Sequence, residues 1–385
     1  MKKIAALSVS FVLVIAISIG GIVPEMQNAL GITGTQAELL LTMPSIAILI
    51  AALLSSSVSA RIGMKKTIGL GLLIVGIAGM MPAFLHSYTP ILLSRFFLGL
   101  GLGLFNPLAV SIINVLFDEK EVPTLLGFRG SVEFLGQSLL TIIVGLLFQF
   151  GWNRSFLVFG AAFVVLAIFL VFVPEVKPAV TDIIDEKPQK DYMNPLVYLI
   201  VLFSIVLVIC AAAIGIRFPM LAASVMGEGF NASNIMAVQP IFNIVAALVF
   251  GKLHNKLGRK LVYIALFGLV VSQLLVGFSN GSLILITIGF FIHGLVPAWI
   301  FPFVFNTVMR LSSGKKQNTA VSYIMVGINI GIFTLPFVMQ ALESIFALVY
   351  ITDIYPILAV ITGLMLVGIV LTSKKTTQLT AAQNY

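Results

Sequence analysis

The sequence predicts an all-α integral membrane protein in which twelve transmembrane helices form two pseudo-symmetric six-helix bundles. The first observation is composition: 59% of the residues are hydrophobic and only 9% are charged, whereas soluble domains carry about 25% charged residues. The second is a series of twelve apolar runs, each long enough to cross a bilayer. The third is an internal repeat that relates the two halves of the chain.

The apolar runs are bounded by charged, proline or turn residues, and a membrane span needs about 20 mainly apolar residues. In the first half they cover approximately residues 4–23, 37–60, 67–85, 90–116, 124–150 and 155–173. In the second half they cover approximately residues 195–222, 232–253, 261–278, 282–308, 318–342 and 353–372. The first run has the composition of a signal peptide but no convincing small-residue cleavage site, so we expect an uncleaved first span.

One long polar stretch, which carries prolines and charges of both signs, separates the sixth run from the seventh. Such a composition is typical of a solvated linker. We therefore expect a six-helix bundle over residues 1–173, a cytoplasmic linker over residues 174–194, and a second bundle over residues 195–385 that ends in a short cytoplasmic tail.

The basic residues predict the orientation, because short loops rich in Lys and Arg stay in the cytoplasm. On one side of the membrane lie 18 of the 22 basic residues, which leaves Arg154 on the other side and Arg95, Arg129 and Arg217 inside spans. Both termini are therefore expected in the cytoplasm. The same distribution accounts for the net charge of +8, so the charge gives no reason to expect a nucleic-acid partner. The short loops suit a bacterial plasma membrane.

The internal repeat emerges when the chain is shifted along itself by 195 residues. The matched pairs are Gly20 and Gly215, Pro24 and Pro219, Gly63 and Gly258, Lys65 and Lys260, Gly99 and Gly294, Pro107 and Pro302, and Gly136 and Gly331. The same offset matches residues in four separate regions, which indicates two parallel six-helix halves related by an axis along the membrane normal.

Two loop motifs and one span motif connect this architecture to a known family. The loop motifs are SSVSARIGMK, from Ser56, and GKLHNKLGRK, from Gly251. Both are similar to G-x-L-x-D-R-x-G-R-K of the major facilitator superfamily, and RFFLGLG, from Arg95, resembles its fourth-span motif R-x-x-x-G-x-G. The chain is thus identified as a member of that family over nearly its full length.

The resemblance implies the fold of that family, a secondary transporter of the 12-span type, and a cytoplasmic gate at the two loop motifs. The gate residues carried over by the match are Arg61, Gly63 and Lys65 in the first copy and Gly251, Gly258, Arg259 and Lys260 in the second. Ala60 and Asn255 stand where the family has the Asp that helps to form a charge-paired gate. The G-P-x-x-G-G signature of many drug/proton antiporters is missing from span five, which disfavours a multidrug antiporter.

Span four combines small residues with one charge. Gly99 and Gly103 share a helix face and predict close approach of another helix, with substrate contact as the alternative. A charge inside a span costs about 3 kcal/mol or more, so Arg95 and Arg217 are expected to be paired or to line the substrate or proton pathway. The alternative for both arginines is bonding to a backbone carbonyl or extension to the membrane surface.

Span five carries the strongest candidate for proton coupling. Arg129, Glu133 and Gln137 follow one another at intervals of four residues and therefore share one face, which is expected to line the central cavity. Glu133 is the only acid expected well inside a span, because the other outer-side acids are assigned to span ends or loops: Glu25, Glu38, Glu228, Glu343 and Asp353. The apolar surroundings of Glu133 favour its protonated form, whereas the neighbouring Arg129 favours its ionised form. The alternative is a static ion pair.

Further polar groups within spans are weaker candidates for the pathway. His293 in span ten has an ordinary pKa near 6.5 and is suited to carrying protons, but a lone histidine on an apolar helix is commonly just hydrogen-bonded. Asn106 and Asn329 are candidates for the cavity lining, and inter-helix hydrogen bonding is the alternative.

Several function classes are excluded by missing motifs. The three histidines are far apart and Cys210 is the single cysteine, so no metal site, cofactor or Cys/His nucleophile is expected, and the chain is not expected to be an enzyme. A Walker G-x-x-x-x-G-K-[ST] motif is absent, which leaves an ion gradient rather than ATP as the energy source.

The sequence therefore predicts a proton-coupled secondary transporter that moves a small organic or amphipathic molecule, as a monomer in the lipid bilayer, by alternating access. Export is slightly favoured by analogy with compact 12-span relatives. Uptake of a small organic anion is the alternative, because three arginines but one acid are expected inside spans. A non-transporting membrane sensor and a membrane-embedded enzyme are minor alternatives.

Overall fold

A computed structural model describes residues 1–175, 191–227 and 229–382, apart from the side chains of residues 315 and 372–382. Most of the predicted linker, with Lys177, Lys187 and Lys190, therefore lies outside the described residues, as does Glu228. Among the described residues, eleven helices are long and apolar enough to cross a membrane, and a bent pair of helices at the N-terminus supplies a twelfth span. The all-α fold with twelve spans is confirmed.

The spans are numbered here in chain order. Span 1 is Lys2–Ser8, Val9–Val12, Ile15–Ile22 and Val23–Leu30 together, followed by span 2 (Gly34–Ile62), span 3 (Met64–Met80, then Met81–Ala83), span 4 (Tyr88–Leu116), span 5 (Val122–Leu147, then Phe148–Phe150) and span 6 (Trp152–Gly160, then Ala161–Phe172). The second half contains span 7 (Leu196–Met226), span 8 (Ser233–Met236, then Gln239–Leu257), span 9 (Lys260–Gly277), span 10 (Leu283–Arg310), span 11 (Lys315–Ile345) and span 12 (Ile354–Ala382).

Span 1 differs from the predicted run, which ended at Val23. Its first part, Lys2–Val12, makes an angle of 43° with Ile15–Leu30, and much of its middle is 3₁₀ helix. Glycine and proline weaken regular α-helix here. Pro24 nevertheless occupies the start of the last helical segment, where its missing N–H costs little, so the span continues to Leu30.

The two loop-bearing faces are named here by their charge. The basic face carries the N-terminus and the loops after spans 2, 4, 8 and 10; at this face Nζ of Lys3 lies 2.6 Å from a carboxylate oxygen of Glu121. The opposite face carries the loops after spans 1, 3, 5, 7, 9 and 11. A short antiparallel pair that the sequence did not indicate, β1 (Tyr192–Met193) and β2 (Ser312–Ser313), links the start of span 7 to the loop after span 10.

Each half of the chain has its own hydrophobic interior. One cluster of buried side chains contains only residues between 5 and 173, whereas two others contain only residues between 197 and 358. The spans therefore form two six-helix bundles. The bundles meet through spans 2 and 11, spans 5 and 8, and spans 1 and 7.

The bundles are joined mainly near the opposite face. Ser138 Oγ of span 5 donates to the carbonyl of Ala237 at the start of span 8, with 2.6 Å between the oxygens. Asn231 Nδ2, in the loop after span 7, donates to the carbonyl of Gly145 at 3.0 Å. Because these bonds reach backbone groups across the interface, they hold the bundles together on that side.

Small residues allow span 4 to lie between two neighbours. A Cβ atom added to Gly99 would lie 2.8 Å from Cα of Pro44 and 2.7 Å from Cβ of Ala47, both in span 2. A Cβ at Gly101 would lie 2.8 Å from the carbonyl oxygen of Gly71 in span 3. Gly103 faces Ile48 and Ala51 of span 2 in the same way. Span 4 is therefore in backbone contact on both sides.

We expect Gly99→Ala to lower the thermal unfolding midpoint of the purified protein, because the added methyl group overpacks the contact with span 2 at a cost of about 1–3 kcal/mol. Gly363→Ala in span 12 is the matched control, since no atom lies within 4 Å of its added Cβ. Equal midpoints for the two variants in a fluorescence-based melting experiment would contradict this packing.

Candidate functional site

The first polar cluster is held by spans 4 and 5. Nη1 of Arg129 lies 3.5 Å from Oε2 of Glu133, one helical turn away. Nη2 of Arg129 donates to Oδ1 of Asn106 at 3.4 Å, and Gln137 follows one turn beyond Glu133, partly buried. The cluster therefore combines a cation, a carboxylate and amides, which can bind a charged or hydrogen-bonding group.

This cluster is accessible on the basic-face half of span 5. The side chains of Arg129 and Glu133 are 19% and 23% exposed, whereas Ser138, farther along the helix, is buried where it bonds to span 8. Span 5 therefore contacts the second bundle toward the opposite face, whereas Arg129 and Glu133, nearer the basic face, keep part of their surface exposed.

The second cluster joins the bundles near the opposite face. Nε of Arg217, in span 7, lies 2.7 Å from Oε1 of Glu38 in span 2. Nη1 of Arg217 donates to Oε1 of Glu343 in span 11. The side chains of Arg217 and Glu38 are 3% and 2% exposed, and that of Glu343 is 32% exposed. Glu38 is the link to the first bundle, since Arg217 and Glu343 both belong to the second.

Glu38 lies about one turn inside the start of span 2, at the outer end where the sequence places it, but it is only 2% exposed. Its burial and its contact with Arg217 were not predicted. A signal was nevertheless present: Arg217 is a buried charge, and buried charges require partners at the same depth. Glu38 and Glu343 were the acids available there.

A cavity of about 420 Å³ adjoins this cluster at the opposite face. Its wall includes Glu38, Arg217 and Glu343, together with Gln27 of span 1 and Tyr350 of the loop after span 11. The cluster is thus connected to a polar vestibule.

Arg95 lies inside the first bundle with no exposed surface. Its Nε donates to the carbonyl of Leu40 in span 2 at 3.0 Å, and Nη2 donates to the carbonyl of Ala16 in the irregular part of span 1. The guanidinium carbon lies 5.4 Å from the ring centre of Phe159 in span 6. Arg95 thus connects four spans of one bundle.

The remaining candidates lie in the second bundle. His293 is 6% exposed, and its Nδ1 lies 3.5 Å from Nε2 of Gln239 in span 8. Asn329, in span 11, donates through Nδ2 to the carbonyl of Met325 in its own helix at 2.9 Å. The structure therefore does not bring either side chain into the Arg129–Glu133 cluster.

The two loop motifs end helices at the basic face. Gly63, with φ +92°, follows span 2, and Gly258, with φ +52°, follows span 8; both angles favour glycine. The charged members Arg61, Arg259 and Lys260 are exposed, as is Gly251, and Lys65 is half-buried. These groups are solvated in this conformation.

The chain matches the sequence model of one family, and its relatives include a protein named as a transporter and one named as an exporter. The sequence model of the Major Facilitator Superfamily matches residues 5–227 and 203–383. A probable L-galactonate transporter of Escherichia coli (strain K12) is 28% identical over 37% of this chain and 32% of its own length. The bacillibactin exporter of Bacillus subtilis (strain 168) is 31% identical over 40% of this chain and 41% of its own. The chain thus aligns with less than half of either relative.

Solved structures share the fold. The nucleoside transporter NupG superposes with a TM-score of 0.78 at 13% identity, covering 96% of this chain and 99% of that protein. This likeness extends to the arrangement of both bundles.

We expect Arg95→Met to lower the thermal midpoint strongly, because hydrogen bonds from a charged donor contribute about 1.5–3 kcal/mol each and two are lost. Arg154→Met, at an exposed position at the start of span 6, is the matched control and should change stability by no more than about 0.5 kcal/mol. A variant with unchanged stability but no transport would instead place Arg95 in the substrate pathway.

Proposed function

The chain belongs to the Major Facilitator Superfamily, and on this premise we propose that it is a proton-coupled secondary transporter that exports a small organic or amphipathic molecule. The family consists of membrane transporters, not enzymes. Transport proceeds by rocking of residues 1–173 against residues 195–385, with residues 174–194 as the linker. The basic face lies toward the cytoplasm of a bacterial plasma membrane, and both termini are on that side.

The observation that carries this proposal is the position of Glu133. It lies within a span, is only 23% exposed and is 3.5 Å from the guanidinium of Arg129. A cationic or hydrogen-bonding substrate that contacts the ionised carboxylate of Glu133 would be displaced when Glu133 binds a proton. Proton and substrate would then compete for one cluster, which is the requirement for exchange. An anion that binds Arg129 would instead bind together with the proton, because protonation of Glu133 frees Arg129, and this is the requirement for uptake with a proton.

The substrate enters this cluster from the cytoplasm in the proposed cycle. The bundles are bonded near the opposite face, while the cluster, which lies nearer the basic face, is partly exposed. The loop-motif residues Arg61, Gly63, Lys65, Gly251, Gly258, Arg259 and Lys260 are proposed to close that side in the alternate state. Arg95, Arg217, Gln137, His293 and Asn329 stay predicted pathway residues.

Two directions of transport are supported by different observations. The name of the bacillibactin exporter supports export. The name of the probable L-galactonate transporter, together with the partly exposed cation of Arg129, supports a small organic anion as substrate, which is the substrate of the second candidate, proton-coupled uptake. The charge of the substrate separates the two candidates.

The first test compares wild type with Glu133→Gln in proteoliposomes that contain a pH-sensitive dye, while organic anions and lipophilic cations are added one at a time. We expect proton movement with one class of compound in wild type and none above empty liposomes in Glu133→Gln, because the amide cannot bind and release a proton. Arg129→Gln should lose the response to anions if anions are the substrates.

Glu119→Gln is the matched control, since this carboxylate is exposed in the loop before span 5 and its removal should leave coupling intact. Coupling that persists unchanged in Glu133→Gln would exclude this residue as the proton carrier and leave Arg129–Glu133 as a static pair.

A further inference from the structure

The cluster of Glu38, Arg217 and Glu343 has one more negative than positive charge when all three groups are ionised. One guanidinium lies between two carboxylates, and two of the three side chains are at least 97% buried. A buried charge without a counter-charge is costly in a protein and more so within a membrane. Binding of one proton makes the cluster neutral.

An unsatisfied atom indicates where that proton is held. Oε1 of Glu38 faces Arg217 at 2.7 Å, whereas Oε2 is buried and has no hydrogen-bond partner among the described residues. Nε of Arg217 also has no hydrogen-bond partner among the described residues, so its contact with Oε1 is an ion-pair contact without hydrogen-bond geometry. Oε1 can occupy this position whether or not Oε2 is protonated. The Arg217 contact is therefore compatible with a neutral Glu38.

We propose that the Glu38–Arg217–Glu343 cluster is a proton-binding site that controls the opposite face: closing this face takes up one proton, held at Glu38, and opening it releases the proton. Opening separates Glu38, in the first bundle, from Arg217 and Glu343, in the second. Arg217 and Glu343 then remain a neutral pair, and Glu38 becomes hydrated and ionised. The closed state thus binds one proton more than the open state, so that low pH favours closure.

The surrounding groups do not supply the missing positive charge. Arg95, the nearest cation of span 4, is directed to the carbonyls of Ala16 and Leu40. Tyr355 of span 12 is buried and its hydroxyl donates to the carbonyl of Ala213 at 3.4 Å. The other titratable groups of the described residues at this face include Glu25 of span 1, and Tyr350 and Asp353 of the loop after span 11, where Asp353 accepts from the backbone N–H groups of residues 349 and 350. His86, Tyr88 and Arg154, at the ends of spans 3, 4 and 6, also lie at this face.

The cavity at the opposite face gives the proton a route. Its volume of about 420 Å³ extends to both carboxylates of the cluster, and Glu343 is 32% exposed. The proton is therefore exchanged with the opposite side of the membrane rather than with the basic face.

The proton site extends the proposed function. It rests on that function only for the role that the bound proton has in the transport cycle. In an exporter, a proton taken from outside after substrate release would close the opposite face and return the transporter to the state described here. The site itself is tested by conformation alone, so failure of Glu133 as a proton carrier would leave the test intact.

The experiment measures the distance between two spin labels by double electron–electron resonance in lipid nanodiscs from pH 5 to pH 8.5. Phe84→Cys, after span 3, and Phe278→Cys, after span 9, carry the labels in a Cys210→Ala background; both positions are exposed and lie at the opposite face, one in each bundle. We expect the short distance to gain population as pH falls, by up to about tenfold per pH unit for one linked proton.

Two isosteric variants separate a proton site from a simple ion-pair latch. Glu38→Gln and Glu343→Gln each make the cluster neutral without a proton, so both should show the short distance at every pH. Glu25→Gln, at the same face but not in the cavity wall, is the matched control and should follow wild type. Size-exclusion profiles and melting midpoints confirm that each variant is folded.

The contrary outcomes are distinct. A long distance at every pH in Glu38→Gln would show that the cluster is a latch that depends on charge, without a bound proton. An unchanged pH response in both Glu38→Gln and Glu343→Gln, or no response in wild type, would also overturn the proposal. Glu343→Gln keeps the contact between Glu38 and Arg217 and so remains informative if Glu38→Gln is unstable.

Discussion

The structure depends on one constraint: a charge within a membrane span must find its partners in the protein. Three arginines meet it differently. Arg95 uses backbone carbonyls of its own bundle, Arg129 uses a carboxylate of its own span and an amide of span 4, and Arg217 uses carboxylates from both bundles. Only the last arrangement crosses the interface. Arg95 therefore stabilises the fold of one bundle, whereas Arg217 stabilises one arrangement of the two bundles.

The internal repeat extends to the helices but not to this polar chemistry. None of the charged or titratable residues of these sites has a charged or titratable counterpart at the 195-residue offset. The equivalent residue is Phe290 for Arg95, Ile324 for Arg129, Ile328 for Glu133, Ser233 for Glu38, Ile22 for Arg217, Phe148 for Glu343 and Leu98 for His293. Glycines and prolines, in contrast, recur at the offset because both halves need the same close helix contacts and bends. The symmetric scaffold permits rocking, and the charges without a counterpart in the other half allow the two ends of the cycle to respond to different ligands.

Most of the fold was predictable because span length and apolarity are local properties of the sequence. The Arg129–Glu133 pair was visible for the same reason, since four residues separate its members. Glu38 and Arg217 are distant in the sequence, and Glu38 stood at the edge of an apolar run, so no local pattern joined them. Span 1 passes Pro24 because the helix restarts there, and hydropathy does not register such a restart.

The two carboxylate clusters have opposite accessibility, which bears on how coupling could operate. Glu133 is partly exposed on the basic-face half of span 5, while Glu38 is buried where the bundles meet, beside the cavity at the opposite face. If both bind protons as proposed, each exchanges with a different side of the membrane. A leak is then avoided only if the two are never open together. In the conformation described, the bond from Ser138 to the carbonyl of Ala237 joins the bundles toward the opposite face while Glu133 is partly exposed, which supports this condition.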